Sequence, residues 1–349
     1  MHLLSLWDPL PCPMSPDGPD VMAADVGQHI QDAALMTVGR FLQYSDYHFT
    51  TVTPDTHRIV NARPTHAEAC DLTGIFGWSR PFRPGLVPEA IVEALALAEV
   101  LDHMEQGMLR SRIRFSTIGD HLIMHSSFPT DGRQSVFFGP DTYRFVDLLQ
   151  RSIMGGGSLL EMGAGTGAAA LSLSGRFSRL ALLDINQEAV RYARINAALA
   201  GCDHAEVLCA DVTHSLSGTY DAIIANPPYI IDPTGPVYRN GGWMGIEVAL
   251  DMVKAALPLL APEGQLVMYT GAPIADGHDL LEEALAPILL PTGRPAQYDE
   301  LDVDVFGSSL LSPHYDHIDR IAVIALIVGR TAPISTQPYA CTLTATGQG

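Results

Sequence analysis
The sequence predicts an α/β protein: a Rossmann-like, doubly wound, mostly parallel sheet with an antiparallel edge strand, preceded by a smaller N-terminal α+β domain. Three observations predict it. From Ser158 onward, short apolar runs alternate with helical patterns, as strands and crossover helices of a parallel sheet do. The first of those runs leads straight into a glycine-rich turn, "EMGAGTG". The last two, "YDELDVDVF" and "RIAVIALIVGR", have no helix signal between them and read as an antiparallel hairpin at one edge. The expected organisation is an arm over residues 1–24, an N-terminal domain over 25–134, the sheet domain over 135–330 and a tail over 331–349.

The arm is rich in Pro and Asp and has no periodicity. From Ala24 to Leu42 the apolar spacing predicts a helix, "HFTTVTP" a short strand, and "THAEACDLTGIFGW" a helix and turn. Pro88 to Met108 predicts an amphipathic helix, with Pro at its start and Gly107 near its end. "RIRFSTIGDHLIMHSSF" alternates around Gly-Asp and predicts a β-hairpin. Helices followed by a two-stranded wing make a winged-helix-like pattern, here read as a lid or substrate wall. In the sheet domain, strands are expected at "SLLEMGAG", "LALLDIN", "AEVLCAD", "YDAIIAN" and "GQLVMYTG". Helices are expected over "QEAVRYARINAALAG", stopped by Gly201, and from Gly245 to Leu260.

Composition narrows the partners. With 47% hydrophobic residues the 349-residue chain can fill a large core. A formal net charge of −19 disfavours a polynucleotide, because phosphate binding needs a basic face, and the one basic run is "RSRIR" at Arg110 to Arg114. Five cysteines without CxxC spacing read as free thiols of a reducing cytoplasm. The start "MHLLSLWDPLPCPM" lacks the pattern of a signal peptide. The longest apolar run, Ile321 to Val328, is far short of the ~20 residues that a membrane span needs. A cytoplasmic protein that does not enter membranes is the expectation.

The chemistry sits at strand ends. Gly163, Gly165 and Gly167 follow the first strand with G-x-G-x-G spacing, not the G-x-G-x-x-G of dinucleotide folds. Such a turn suits a nucleoside with an amino-acid arm lying on the backbone, and equally a tight strand-to-helix connection. Asp184 ends the next strand, where an acid can accept both ribose hydroxyls or can cap the helix that follows. Asp211 ends the third, placed for an adenine amino group or for a simple turn. The fourth strand stops at Asn226-Pro227-Pro228-Tyr229. The Asn226 side-chain carbonyl and the Pro227 backbone carbonyl can each accept one hydrogen of an NH2 group, and the prolines keep them rigid. That orients the nitrogen lone pair and favours positive charge developing on it. Tyr229 can stack on a planar acceptor or shield a cation. The bland alternative is a strand stop followed by an extended turn.

Together, "EMGAGTG", Asp184, Asp211 and "NPPY" resemble the class I S-adenosylmethionine-dependent methyltransferases, specifically their amino-group subgroup. Within it the chain is similar to the release-factor glutamine N5-methyltransferases and the small-domain rRNA guanine methyltransferases. The downstream "YRNGGWMGIEVAL" adds to the resemblance, which spans about residues 135 to 330. It implies S-adenosylmethionine as cofactor, with Glu161, Gly163, Gly165 and Gly167 flanking its methionine arm. Asp184 would hold the ribose and Asp211 the adenine, with Ile185, Val212 and Asn226 also at the cofactor, and Asn226, Pro227 and Tyr229 would lie at the acceptor nitrogen. In "FFGPDTYRF", Pro140, Thr142 and Tyr143 would line the pocket, or mark a helix start followed by core aromatics.

The first half departs from the family pattern, so acceptor identity does not transfer. His48, His57 and Arg58 are candidate acceptor contacts, set against a reading as solvated surface residues. "PHYDHID" reads as loop polarity and no metal is expected. The expected function is N-methylation of an amino or amide nitrogen on a small molecule, in natural-product biosynthesis. Alternatives are cyclisation of S-adenosylmethionine to azetidine-2-carboxylic acid and methylthioadenosine, N5-methylation of a protein glutamine, and a non-catalytic cofactor-binding regulator.

Overall fold
The computed structural model describes residues 19–212 and 217–329, with 19–25 described by backbone alone. The expected tail and most of the expected arm lie outside the described residues. The N-terminal part comprises α1 (Pro19–Tyr44), α2 (Pro54–Asn61), α3 (Leu72–Phe76) and α4 (Glu89–Leu97). Two antiparallel hairpins follow, β1 (Leu101–His103) with β2 (Leu109–Ser111) and β3 (Ile113–Ile118) with β4 (His121–Ser126). The second is the expected hairpin around Gly119-Asp120. The first replaces half of a predicted helix. Helical geometry ends at Leu97, Glu99 turns left-handed (φ 57°), and the apolar residues beyond it belong to β1 and β2. "HFTTVT" is extended but pairs in no sheet; Phe49 accepts from the Thr117 amide on the edge of β3 at 2.8 Å. Thr53 then caps α2, accepting from the Thr56 amide at 3.2 Å, with Pro54 in the first turn.

The sheet domain runs α5 (Pro140–Ser152), β5 (Gly156–Met162), α6 (Ala168–Ser172), β6 (Phe177–Asp184), α7 (Gln187–Leu199), β7 (Ala205–Cys209) and β8 (Tyr220–Ala225). It continues with α8 (Glu247–Ala256), β9 (Leu260–Ala275), the two-residue β10 (His278–Asp279), α9 (Leu280–Leu289), β11 (Ala296–Asp302) and β12 (Arg320–Gly329). The strand order is β11-β12-β9-β8-β5-β6-β7. β5 to β9 pair in parallel, whereas β12 is antiparallel to both β9 and β11. The chain winds outward from β5 in both directions, so the switch point lies between β5 and β8. In such sheets that is where ligands bind. The apolar run in β12 is explained by burial on both faces. α9 escapes the sequence reading because Pro287 interrupts its helical signal.

Phe145, Leu171 and Val190 of α5, α6 and α7 cover one face, and Met252, Val253 and Leu281 of α8 and α9 the other. α7 has a second apolar side. Its Tyr192, Ile195 and Leu199 complete the core of the N-terminal part. Gly39 lets α1 cross closely there, since a Cβ would stand 2.7 Å from Leu199. Arg40 and Gln43 supply donors to the carboxyl end of α7, at 2.7 Å from Ala198 O and 3.1 Å from Leu199 O. The N-terminal part is thus docked on the helix that follows Asp184. Among the described residues no helix is long and apolar enough to cross a membrane.

Candidate active site
Register decides what lines up at the carboxyl edge of the sheet. Met162 pairs with Leu183 on one side and Ala225 on the other. The residues that follow, Gly163, Asp184 and Asn226, therefore form one row across the switch point. Asp184 pairs with Cys209, which brings Asp211 to the same edge.

The three glycines share positive φ (70°, 54° and 75°) but serve different ends. A Cβ on Gly167 would stand 2.8 Å from Leu182, so this position lets α6 start close against β6. One on Gly163 would meet Met252 at 3.2 Å. One on Gly165 would meet nothing within 4 Å, which leaves its backbone face open to a ligand. Asp184 holds this turn. Its Oδ2 accepts from the Gly165 amide at 2.7 Å and its Oδ1 from the Asn186 amide at 2.8 Å. Burial raises its carboxyl, partly offset by those backbone N–H groups. The helix-cap reading passes to Asn186, whose side chain accepts from the Glu188 amide at 3.0 Å. Next to Asp184, Ile185 is 58% exposed, an apolar side chain left at the crevice; Asp211 is exposed and Val212 buried.

Glu161 lies beneath the turn, buried, accepting from the Ala170 amide at 3.0 Å and tying β5 to the first turn of α6. Burial pushes its carboxyl up from 4.5 to about 8. The fold therefore keeps a proton that the unfolded chain has lost, and stability declines as pH rises from about 4.5 to about 8. Glu161→Gln, which cannot ionise, should match the wild type in thermal midpoint near pH 5 and exceed it at pH 8. Melting curves at both values check this; an equal offset at both would show that Glu161 ionises normally.

At the end of β8, Asn226 is half-buried. Among the described residues neither its side chain nor the Pro227 carbonyl is engaged in a hydrogen bond. The half-buried Asn226 side chain is thus left without an internal partner at the strand end, as is the carbonyl of the buried Pro227. Tyr229 behaves differently. Its ring lies flat on the Gly271 backbone of β9, which leaves no room for a Cβ there. Its hydroxyl donates to Asp141 Oδ2 at 3.0 Å, while Tyr269 donates to Oδ1 at 3.2 Å. Burial first and Asp141 second hold the Tyr229 hydroxyl well above its usual pKa. The ring is thus an anchor for the motif, not an exposed stacking surface. Glycines of "GGWMG" complete the clamp: a Cβ on Gly241 would stand 2.7 Å from Tyr229 Cα and 2.8 Å from the Pro228 carbonyl.

In "FFGPDTYRF" the helix-start reading describes what is seen. Pro140 occupies the first turn of α5, and the Thr142 hydroxyl accepts from the Gly139 amide at 3.4 Å. Tyr143 turns to the N-terminal part, its hydroxyl accepting from the Thr51 amide at 3.1 Å. The residue of this segment brought to the motif is Asp141, which nothing in the sequence distinguishes from an ordinary first-turn acid. Asn196 is also missed by sequence reasoning. Fully buried on α7, it accepts from Met124 N at 2.8 Å and donates to Met124 O at 3.0 Å and Thr166 O at 2.9 Å. It joins β4 to the glycine turn; its only sequence signal is an amide within an apolar helix. His48 and Arg58 are exposed and face Asp46 and Asp55 at 3.2 and 3.5 Å. His57 is not a solvated residue but fully buried. In "PHYDHID" the Tyr315 hydroxyl is buried and accepts from Ile231 N at 2.7 Å, fixing the chain just past the motif.

Residues 141–288 match the family model of the methyltransferase small domain. The chain is 34% identical to a release factor glutamine methyltransferase of Deinococcus radiodurans over 125 residues, 32% of this chain and 44% of that one. It is 32% identical to ribosomal RNA small subunit methyltransferase C of Pseudomonas aeruginosa over 119 residues, 34% of this chain and 33% of that one. It is 29% identical to a 4-amino-L-phenylalanine/4-methylamino-L-phenylalanine methyltransferase of Streptomyces pristinaespiralis over 127 residues, 33% of this chain and 44% of that one. In each case the match spans less than half of the relative's length. The resemblance to S-adenosylmethionine-dependent methyltransferases carried by "EMGAGTG", Asp184, Asp211 and "NPPY" is supported on that segment.

Proposed function
We propose that this chain, similar over residues 141–288 to the methyltransferase small domain, is an S-adenosylmethionine-dependent N-methyltransferase of small molecules. The observation that carries the reading is the pair of rigid acceptors, the Asn226 side chain and the Pro227 carbonyl, left available beside Gly163 at the switch point. The residues present fit the cofactor. Gly165 offers an open backbone face, Asp184 is oriented from behind by two amides, and Ile185 offers an apolar flank. When bound, S-adenosylmethionine supplies a methyl group on a sulfonium that departs as a neutral thioether.

The chain's own contribution is positioning. Asn226 and Pro227 each accept one N–H of the acceptor, turn its lone pair toward the crevice and favour the charge that develops on nitrogen. Asp141 acts through the Tyr229 hydroxyl to hold that backbone still. A small acceptor suits the surface. In the one basic run, Arg110 and Arg112 face Asp102 at 3.2 and 3.7 Å and Arg114 is buried, so the run presents no phosphate-binding face. Incubation with S-adenosylmethionine and a panel of amines and amino acids should yield S-adenosylhomocysteine and a methylated amine, seen by mass spectrometry. Methylthioadenosine from S-adenosylmethionine alone, above a buffer control, would replace this reading with cyclisation. Methylation of a release-factor glutamine with no amine turned over would replace the small-molecule acceptor with a protein.

A further inference from the structure
Arg114 is 3% exposed on β3, at the centre of the N-terminal part. Its Nε donates to the Ser126 carbonyl at 3.1 Å and its Nη1 to His57 Nδ1 at 3.4 Å. Among the described residues no carboxylate answers its charge. The ionisable oxygens whose charge would reach it belong to Tyr47, Tyr143 and Tyr238, but burial keeps these hydroxyls protonated and their hydrogen bonds go to Phe115 O, Thr51 N and Thr130 O. Its other titratable neighbours, His57 and His125, are held neutral by burial and by Arg114 itself. A buried guanidinium without an anion is costly, and removing a partner from a buried pair is among the most destabilising of changes.

His57 has the same deficit. Because Nδ1 accepts from Arg114, the ring proton sits on Nε2. Nε2 is buried and makes no hydrogen bond among the described residues. The ring is stacked on Phe128 at 4.3 Å and tilted against Trp78 at 5.3 Å, so it is not free to turn toward a partner. A buried donor without an acceptor, His57 Nε2–H, thus stands beside a buried guanidinium whose hydrogen bonds go to neutral groups and whose charge meets no anion. Buried polar groups are nearly always satisfied, and the group that would satisfy both is an anion with two oxygens.

Placement connects this deficit to the candidate active site. Tyr143 accepts from the Thr51 amide at 3.1 Å, and the Thr51 hydroxyl bonds Ser116, two residues along β3 from Arg114; Tyr143 in turn stands two residues from Asp141, the anchor of Tyr229. Tyr238 lies in the loop between the "NPPY" motif and Gly241, stacks on Phe137 at 5.1 Å, and donates to the carbonyl of Thr130 at 2.8 Å, two residues from the Phe128 on which His57 stacks. We infer that Arg114, with the Nε2–H of His57, receives a carboxylate of the acceptor whose nitrogen Asn226 holds. The inference rests on the methyltransferase reading only in naming the acceptor as the bearer of that carboxylate.

The test uses the full chain and 4-fluorobenzoate, a carboxylate with no amine, followed by fluorine NMR. The wild type should bind it, with benzoate competing and benzamide not. Arg114→Met should weaken binding at least tenfold, yet melt no lower than the wild type without ligand, because it removes a buried unpaired charge. His57→Phe keeps the stacked ring, drops the N–H and should weaken the probe at least threefold; it decides the matter if Arg114→Met does not fold. A wild type that ignores the probe, benzamide competing as well as benzoate, or unchanged binding in these variants would overturn the site. S-adenosylmethionine affinity, measured alongside, separates the two readings. Probe binding without cofactor binding would sink the methyltransferase and leave the carboxylate site standing.

Discussion
Asn226→Ala should lower turnover by on the order of a hundredfold or more while S-adenosylmethionine affinity stays within about twofold. The expectation follows from what the side chain does not do. It closes no hydrogen bond among the described residues, so its removal leaves no buried partner stranded and the strand end keeps its shape. What is lost, on the proposed reading, is one of two acceptors that orient the nucleophile and favour charge developing on it. The Pro227 carbonyl remains, so the residual rate should stay above the uncatalysed one. Asn226→Asp keeps an acceptor oxygen and should retain more activity than the alanine. Steady-state kinetics with calorimetric titration of the cofactor separates the two effects. Turnover within a fewfold of the wild type would remove the amino clamp from the mechanism.

Legibility of the sequence differs sharply between the two halves. In the sheet domain the ends of β5 to β8 carry their own marks, a glycine turn, an acid or a proline pair, and parallel register then aligns those marks without further information. Gly163, Asp184 and Asn226 could be placed in one crevice for that reason. The roles of Tyr229 and Asp141 could not. A buried acceptor 88 residues upstream and a glycine on a neighbouring strand decide that the ring is an anchor, and neither contact has a local signal. In the N-terminal part, apolar spacing alone does not separate a helix continuing past Leu97 from the β1–β2 hairpin, and a left-handed Glu99 settles it. For "RSRIR", alternation alone would set Arg114 on the same face as Arg110 and Arg112, opposite Ile113 and Phe115; packing on both faces of β3 buries it, and only packing shows that no carboxylate meets it.

Asp184→Ala should weaken S-adenosylmethionine binding by on the order of a hundredfold, with the fold retained. A hydrogen bond to a charged group is worth about 1.5–3 kcal/mol, and about 2.7 kcal/mol corresponds to a hundredfold in affinity. The proposed pair of ribose hydroxyls supplies that much even after allowing for water that replaces the carboxylate. A second loss compounds the first. Asp184 binds the amides of Gly165 and Asn186, so without it the open face of the glycine turn is no longer held in place. Helix α7 should survive, because its cap is Asn186 and its outer side is packed under α1. Asp184→Asn is the informative companion. It keeps one oxygen but turns an NH2 toward one of two backbone N–H groups, so it should recover only a small part of the affinity. Calorimetric titration of the cofactor, with circular dichroism to confirm the fold, reads both variants. If Asp184→Ala binds within threefold of the wild type, the carboxylate serves only to brace the turn, and the ribose is held elsewhere along the edge.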